Sequence, residues 1–181
     1  MTPVESLWIV LVVLFGIVGI VRGFLKELGI TLVLIVLLFG LTRLDANLKR
    51  LLDMAANVTR VQAVSRWYEN PTAWLIFYAG IILGVMYVAY QGYVIKYPGN
   101  EPRGMQATLL GLMVGLINGY LFVGSLWYYI DKYKQPLQTW GIIQGDYSAL
   151  AQKLMKILPP DLLGPFLPFL VVFMIILLVI K

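Results

Sequence analysis

Long uncharged apolar runs alternate with short polar segments along the 181 residues of the chain. A transmembrane helix needs about 20 predominantly apolar residues at a rise of about 1.5 Å each. The runs therefore predict an all-α integral membrane protein with two transmembrane hairpins and a fifth, C-terminal span. Asn70 followed by Pro71 marks the start of the third span, because Asn caps helices and Pro is tolerated in the first turn. The five spans are placed at about residues 5–22, 24–42, 71–95, 104–130 and 162–181.

Both long polar segments carry apolar residues at a spacing of about 3.6, the period of an α-helix. The spacing predicts two interfacial amphipathic helices, at about residues 44–60 and 146–158. Two interpretations stay open for such helices: they lie on the membrane surface, or they cover the bundle formed by the rest of the chain.

Composition points to the same class of protein. Apolar residues make up 60% of the chain and charged residues 13%, about half the charged share of a soluble domain. His and Cys are absent, which excludes disulfides, thiolate or imidazole metal sites and catalysis by either side chain. The net charge of +5 lies in short loops between apolar runs, where Lys and Arg set orientation and contact anionic lipid rather than nucleic acid. Their distribution favours a cytoplasmic N-terminus.

Small residues recur at intervals of four in three of the predicted spans. In lipid, such stripes let helix backbones approach closely, because burying Leu against Leu gains little there. Two interpretations stay open, an interface with other subunits or a second copy, and packing inside the chain's own bundle. The predicted helix-packing residues are Gly19, Gly23, Gly80, Gly84, Ala107, Gly111, Gly115 and Gly119.

Polar side chains inside the spans are few. Asn118 is the one strongly polar residue deep in a long span, so it needs a hydrogen-bonding partner. Arg22, Lys26 and Glu27 form a charge cluster that we expect at the membrane interface, with Glu27 in an ion pair on the helix surface. Spans three to five lack a central charged residue, which argues against a pump or secondary transporter.

No motif of a known catalytic mechanism occurs, so we expect no catalytic residue, no metal site and no enzymatic activity. A tyrosine stripe at residues 87, 90, 93 and 97 is typical of bundle packing or an interfacial belt. The stripe also leaves room for a bound lipid, quinone or pigment, for which no His or Cys ligand is available. We therefore predict no cofactor.

Two segments carry a resemblance to a known family. Residues 19–29, GIVRGFLKELG, resemble the RGF-x-x-E element that follows the first span of the colicin V production protein (CvpA) family. Residues 109–119 resemble the Gly-rich fourth span of that family, with Asp131 as the acidic residue at its end. The chain differs in carrying Asn118 where the family often has Arg, and in its fifth span. The resemblance implies a CvpA-like four-helix domain at residues 1–161.

The resemblance also implies a bacterial inner-membrane protein connected with colicin V export and envelope homeostasis. Together with the glycine stripes, it favours a non-catalytic scaffold or accessory subunit of a larger assembly, such as an energy-transducing complex. Its expected partners are other integral membrane subunits, a second copy of the chain, and membrane lipids. The alternative is a small channel or carrier, or an export and envelope factor. A channel predicts a polar cavity around Asn118 with Arg22 nearby.

Overall fold

The structure, a computed structural model, describes residues 3–59, 70–92, 95, 97–142 and 147–180. Helices make up 85% of this part of the chain, which contains no strand. Five segments are long and apolar enough to cross a membrane. The all-α class and the five membrane-crossing segments predicted from the sequence are thereby confirmed.

The helices are numbered in chain order. The described residues contain α1 Pro3–Arg22, α2 Phe24–Thr59, α3 Pro71–Gln91, α4 Met105–Lys132, α5 Gln135–Thr139, α6 Ala149–Met155, α7 Pro159–Leu163 and α8 Leu167–Val179, with a 3₁₀ turn at Gly164–Phe166. The start of α3 agrees with the sequence prediction, because the Asn70 side chain accepts a hydrogen bond from the backbone N–H of Thr72 at 2.9 Å.

The central helix of the bundle is α4, which packs against α1, α2, α3 and α7. The neighbouring glycines show that α1 and α4 run antiparallel, since Gly19 near the end of α1 faces Gly111 near the start of α4. The principal partner of α1 is therefore α4, a helix more than 80 residues away in the sequence. The prediction of two hairpins, α1 with α2 and α3 with α4, is not confirmed.

One residue, Gly23, separates α1 from α2. Its φ of +91° lies in the left-handed region that side chains with a Cβ rarely adopt. The chain reverses here, and α2 then continues without interruption for 36 residues to Thr59. The span predicted at residues 24–42 and the amphipathic helix predicted at residues 44–60 are thus parts of one helix, and residue 60 lies outside the described part.

The second amphipathic segment is shorter than predicted. The structure has α6 at Ala149–Met155 within the predicted range of residues 146–158, and residue 146 lies outside the described part. Neither amphipathic helix is confirmed as a surface element. The fifth span is also interrupted, because α7 and the 3₁₀ turn precede α8. Pro165 and Pro168 lack the backbone N–H that an unbroken helix would use, which explains this break.

Apolar side chains from α2 form most of the larger core. Ile30, Leu34 and Leu38 are almost completely buried, and Leu167 and Met174 attach α8 to the same cluster. Most other large side chains of α8 are exposed, as expected for a helix that faces lipid on its remaining sides.

Candidate functional site

The glycines of α1 and α4 lie where these two helices touch. A Cβ added to Gly111 would lie 2.6 Å from the carbonyl oxygen of Gly19, and one added to Gly115 would lie 3.0 Å from the Gly19 Cα. A Cβ on Gly119 would lie 2.8 Å from the Phe15 Cβ. Most of the atoms in the way belong to the backbone, so the two helices can approach this closely only because glycine stands at these positions. The structure therefore brings these four predicted residues together inside the chain's own bundle.

The other small residues of the predicted set lie elsewhere. Gly80 and Gly84 on α3 are exposed, and a Cβ at either position would meet nothing within 4 Å. Ala107, in the first turn of α4, is half-buried, and Gly23 forms the turn between α1 and α2. Within the described residues, the glycine pair of α3 thus has no packing role.

Glu27 is completely buried, which corrects the expectation that it sits at the membrane interface in a surface ion pair. Its Oε1 lies 3.1 Å from Nε of Arg22. Its Oε2 accepts hydrogen bonds from Nδ2 of Asn118 at 2.8 Å and from the Tyr90 hydroxyl at 3.1 Å. The reason is local geometry: α2 begins one residue after the Gly23 turn, and its first turns lie against α4.

Asn118 has the partners that its position requires. Its amide nitrogen donates to the Glu27 carboxylate and to the Glu27 backbone oxygen, the latter at 3.0 Å. Its Oδ1 accepts a hydrogen bond from the Thr31 hydroxyl at 2.8 Å. The side chain is completely buried, so every polar atom of this amide is used between α2 and α4.

Arg22 completes a buried polar cluster that we define as Arg22, Glu27, Thr31, Tyr90 and Asn118. Its Nη1 donates to the backbone oxygen of Tyr90 at 2.9 Å, and its guanidinium lies 4.6 Å from the centre of the Tyr90 ring. The side chain of Arg22 is 24% exposed and Tyr90 is half-buried, so the cluster reaches the surface through these two residues. The buried polar cluster joins α1, α2, α3 and α4.

Lys26, the third residue of the predicted charge cluster, is exposed and is not part of the buried polar cluster. The sequence contains a signal for the arrangement that does form. Glu27 and Thr31 are four residues apart, so they lie on the same helix face, and Asn118 requires a partner at membrane depth. This pattern does not indicate which of Arg22, Lys26 and Glu27 faces the interior of the bundle.

The predicted tyrosine stripe does not act as a unit. Tyr90 belongs to the buried polar cluster, whereas Tyr87 is exposed. The Tyr97 hydroxyl donates to the backbone oxygen of Met174 at 2.9 Å and so attaches the segment after α3 to α8. Residue 93 lies outside the described part of the chain.

A second polar group lies toward the opposite end of the bundle, at Asp45 of α2. Oδ1 of Asp45 accepts hydrogen bonds from the hydroxyls of Tyr78 at 3.0 Å and Tyr133 at 3.3 Å. Oδ2 of Asp45 pairs with Nζ of Lys132. Burial, together with the negative charge of Asp45, raises the pKa of Tyr133, so this phenol stays a hydrogen-bond donor at neutral pH.

Stacked aromatic rings surround this group. The rings of Tyr78 and Tyr129 lie 4.3 Å apart and 9° from parallel, and the ring of Trp74 stacks on those of Tyr78 and Tyr133. All four side chains are buried. The four rings pack between α2, α3 and the end of α4.

A third carboxylate, Glu5 in α1, is also buried. The Ser148 hydroxyl donates to its Oε1 at 2.7 Å, and the same hydroxyl accepts from the backbone N–H of Ala151 as the N-cap of α6. The carboxylates of Glu27 and Asp45 thus bond to other helices, and the carboxylate of Glu5 bonds to the N-cap residue of α6. In the described part of the chain, no group of three Asp or Glu residues is placed to hold a metal ion.

Five apolar helical segments joined by buried polar contacts define a multi-pass helical membrane protein. Comparisons of the chain with protein-family models, with curated proteins and with solved structures found no match.

Proposed function

We propose that the chain is a non-catalytic scaffold or accessory subunit that binds another transmembrane helix through the outer face of α3. The observation that carries this proposal is the empty space around Gly80 and Gly84. Ile76, Leu83 and Tyr87 on the same helix face are also exposed, so the two glycines form a shallow depression in an apolar surface.

Glycine within a helix lowers stability by about 1 kcal/mol relative to Ala. Contact of the glycine with lipid does not offset this loss. A partner helix does gain, because it can approach the backbone closely and make dispersion contacts. The chain uses this device between α1 and α4, where glycines on both helices are in contact. The pair on α3 has the same spacing without an internal partner among the described residues.

The polar contacts support a structural role. Glu27 and Asn118 bond to each other within the bundle, and Glu27 also bonds to Tyr90 and pairs with Arg22. Asp45 bonds to two phenols and pairs with a lysine. Such contacts hold four helices in fixed positions, which suits a frame for other subunits. The resemblance of residues 19–29 to the CvpA family supports a bacterial inner membrane, and the Lys and Arg distribution supports a cytoplasmic N-terminus.

The first test replaces both glycines of the outer face, as Gly80→Leu together with Gly84→Leu. We expect the double variant to lose co-migration with a larger complex on a native gel after gentle detergent extraction, because the leucines keep the partner backbone away. Mass spectrometry of the wild-type band identifies the partner as another integral subunit or a second copy of this chain.

Gly40→Leu is the matched control, since Gly40 on α2 is equally exposed and a Cβ there would meet nothing within 4 Å. We expect this variant to co-migrate like the wild type. A double variant that folds and still co-migrates would show that the outer face of α3 is not the interface. A wild-type protein that migrates alone would remove the accessory-subunit proposal.

Transport is the second candidate, because ionisable residues within spans often mark ion pathways. The buried polar cluster is the observation that favours it. We expect proteoliposomes to show no proton or potassium flux above protein-free vesicles, since every donor and acceptor of Asn118 is already used. Flux that disappears in a folded Asn118→Leu variant would favour a channel over a scaffold.

A further inference from the structure

A cavity of about 440 Å³ lies beside the end of the bundle where α1 begins and α4 ends. Such a volume falls in the range of small-molecule sites, about 300–1,000 Å³. Leu11 of α1 and Leu126 of α4 give it apolar walls, and Trp8, Trp127 and Tyr147 add aromatic ones. The centres of the Trp8 and Trp127 rings lie 6.3 Å apart.

Two indole groups of this cavity wall have no hydrogen-bond partner. The Nε1 atoms of Trp8 and Trp127 are shielded from solvent, and so is the hydroxyl of Tyr147 in the same wall. None of these three atoms forms a well-aligned hydrogen bond in the described part of the chain. Trp127 as a whole is only 4% exposed. Buried donors in proteins are nearly always hydrogen-bonded, so two unpaired donors at one cavity indicate a missing acceptor.

The depth of the two indoles identifies where this acceptor comes from. Trp8 lies five residues after the start of α1, and Trp127 lies five residues before the end of α4. At a rise of about 1.5 Å per residue, each indole is about 7.5 Å from its helix end. Both indoles thus lie close to the ends of segments that are apolar enough to cross a membrane, the level at which Trp is enriched beside the polar layer of the lipid.

We propose that this cavity binds one ester-linked phospholipid, with an acyl chain along the leucines and an ester carbonyl accepting from the indole N–H groups. An indole only donates, and the Tyr147 hydroxyl in the same wall is not aligned with either indole. The occupant therefore supplies the acceptor, and the apolar walls accommodate its acyl chain. A phospholipid presents both at this depth. The proposal is independent of the partner surface on α3.

The head group contributes little to this binding. Lys132 and Lys134, the lysines that follow Trp127 most closely in the sequence, already have carboxylate partners, Asp45 and Asp131. We therefore expect phosphatidylethanolamine and phosphatidylglycerol with the same acyl chains to be retained equally well.

Native mass spectrometry of the full chain in mild detergent tests the proposal. We expect the wild type to retain one phospholipid, and Trp8→Phe with Trp127→Phe to reduce the retained fraction at least about fivefold, since the rings stay and only the N–H groups are lost. Trp140→Phe is the matched control, because Trp140 is 58% exposed and is not part of the cavity wall. Leu126→Trp, which fills the cavity, should also release the lipid.

A second arm uses the wild-type protein alone, so it does not depend on how the variants fold. The delipidated chain is exposed to ester-linked and ether-linked phospholipids with the same head group and chain length. Preferential retention of the ester-linked lipid supports the proposal, because the ether lacks the carbonyl acceptor. The proposal would be overturned if both lipids were retained equally, if the wild-type protein carried no lipid, or if the bound mass were that of a quinone rather than a phospholipid.

Discussion

We expect the replacement of Arg22 by Met to lower the free energy of unfolding by about 3–5 kcal/mol, the usual effect of removing one partner of a buried ion pair. The substitution leaves the Glu27 carboxylate completely buried, with only Tyr90 and Asn118 as donors. Thermal or denaturant unfolding of the purified protein in detergent micelles measures the change.

Lys26→Met is the matched control, because Lys26 is exposed and lies outside the buried polar cluster. We expect it to change stability by less than about 0.5 kcal/mol. Adding Glu27→Gln to Arg22→Met should restore much of the loss, since a neutral amide costs less to bury than an unpaired carboxylate. If the single and double variants are equally unstable, the buried charge is not the cause.

We expect the replacement of Gly115 by Ala to lower the free energy of unfolding by about 3 kcal/mol, at the upper end of the range for overpacked sites. The added Cβ would lie 3.0 Å from the Cα atoms of Gly16 and Gly19 and would collide with the Phe15 carbonyl. These are backbone atoms, so α1 and α4 must move apart as whole helices. The same unfolding measurement detects the loss.

The control is the same substitution at an exposed position, Gly40→Ala. Nothing lies within 4 Å of a Cβ there, and Ala is favoured over Gly in a helix, so we expect stability to rise by up to about 1 kcal/mol. The two Gly→Ala substitutions are thus expected to change the free energy of unfolding in opposite directions. A Gly115→Ala protein as stable as the wild type would contradict the close packing of α1 on α4.

This prediction changes how the glycine stripe of α4 is interpreted. The helix α1 packs directly on Gly111, Gly115 and Gly119. If a Gly115→Leu variant lost a partner protein, the cause would therefore be disruption of the bundle itself. The glycine pair of α3 is the set whose substitution leaves the bundle intact. Co-purification and unfolding measurements on both sets therefore separate an interface with a partner from internal packing.

The sequence by itself determined that the chain spans a membrane and where most spans lie. These properties depend on local quantities, the length of each apolar run and the capping chemistry of residues such as Asn70 and Pro71. The turn between the predicted spans at residues 5–22 and 24–42 is also local, because the glycine at residue 23 tolerates positive φ. The break before α8 was not predicted, although the prolines that cause it are local.

The tertiary structure alone decided which residues face inward and which helices touch. Glu27 and Lys26 are adjacent and equally charged in magnitude, yet only Glu27 meets Asn118, a residue 91 positions away. Likewise Gly84 and Gly115 belong to identical spacings, and only the second is covered. Whether a charge is buried, or two backbones approach closely, depends on the residues of the opposing helix. The pattern within one segment of the sequence carries no information about that helix.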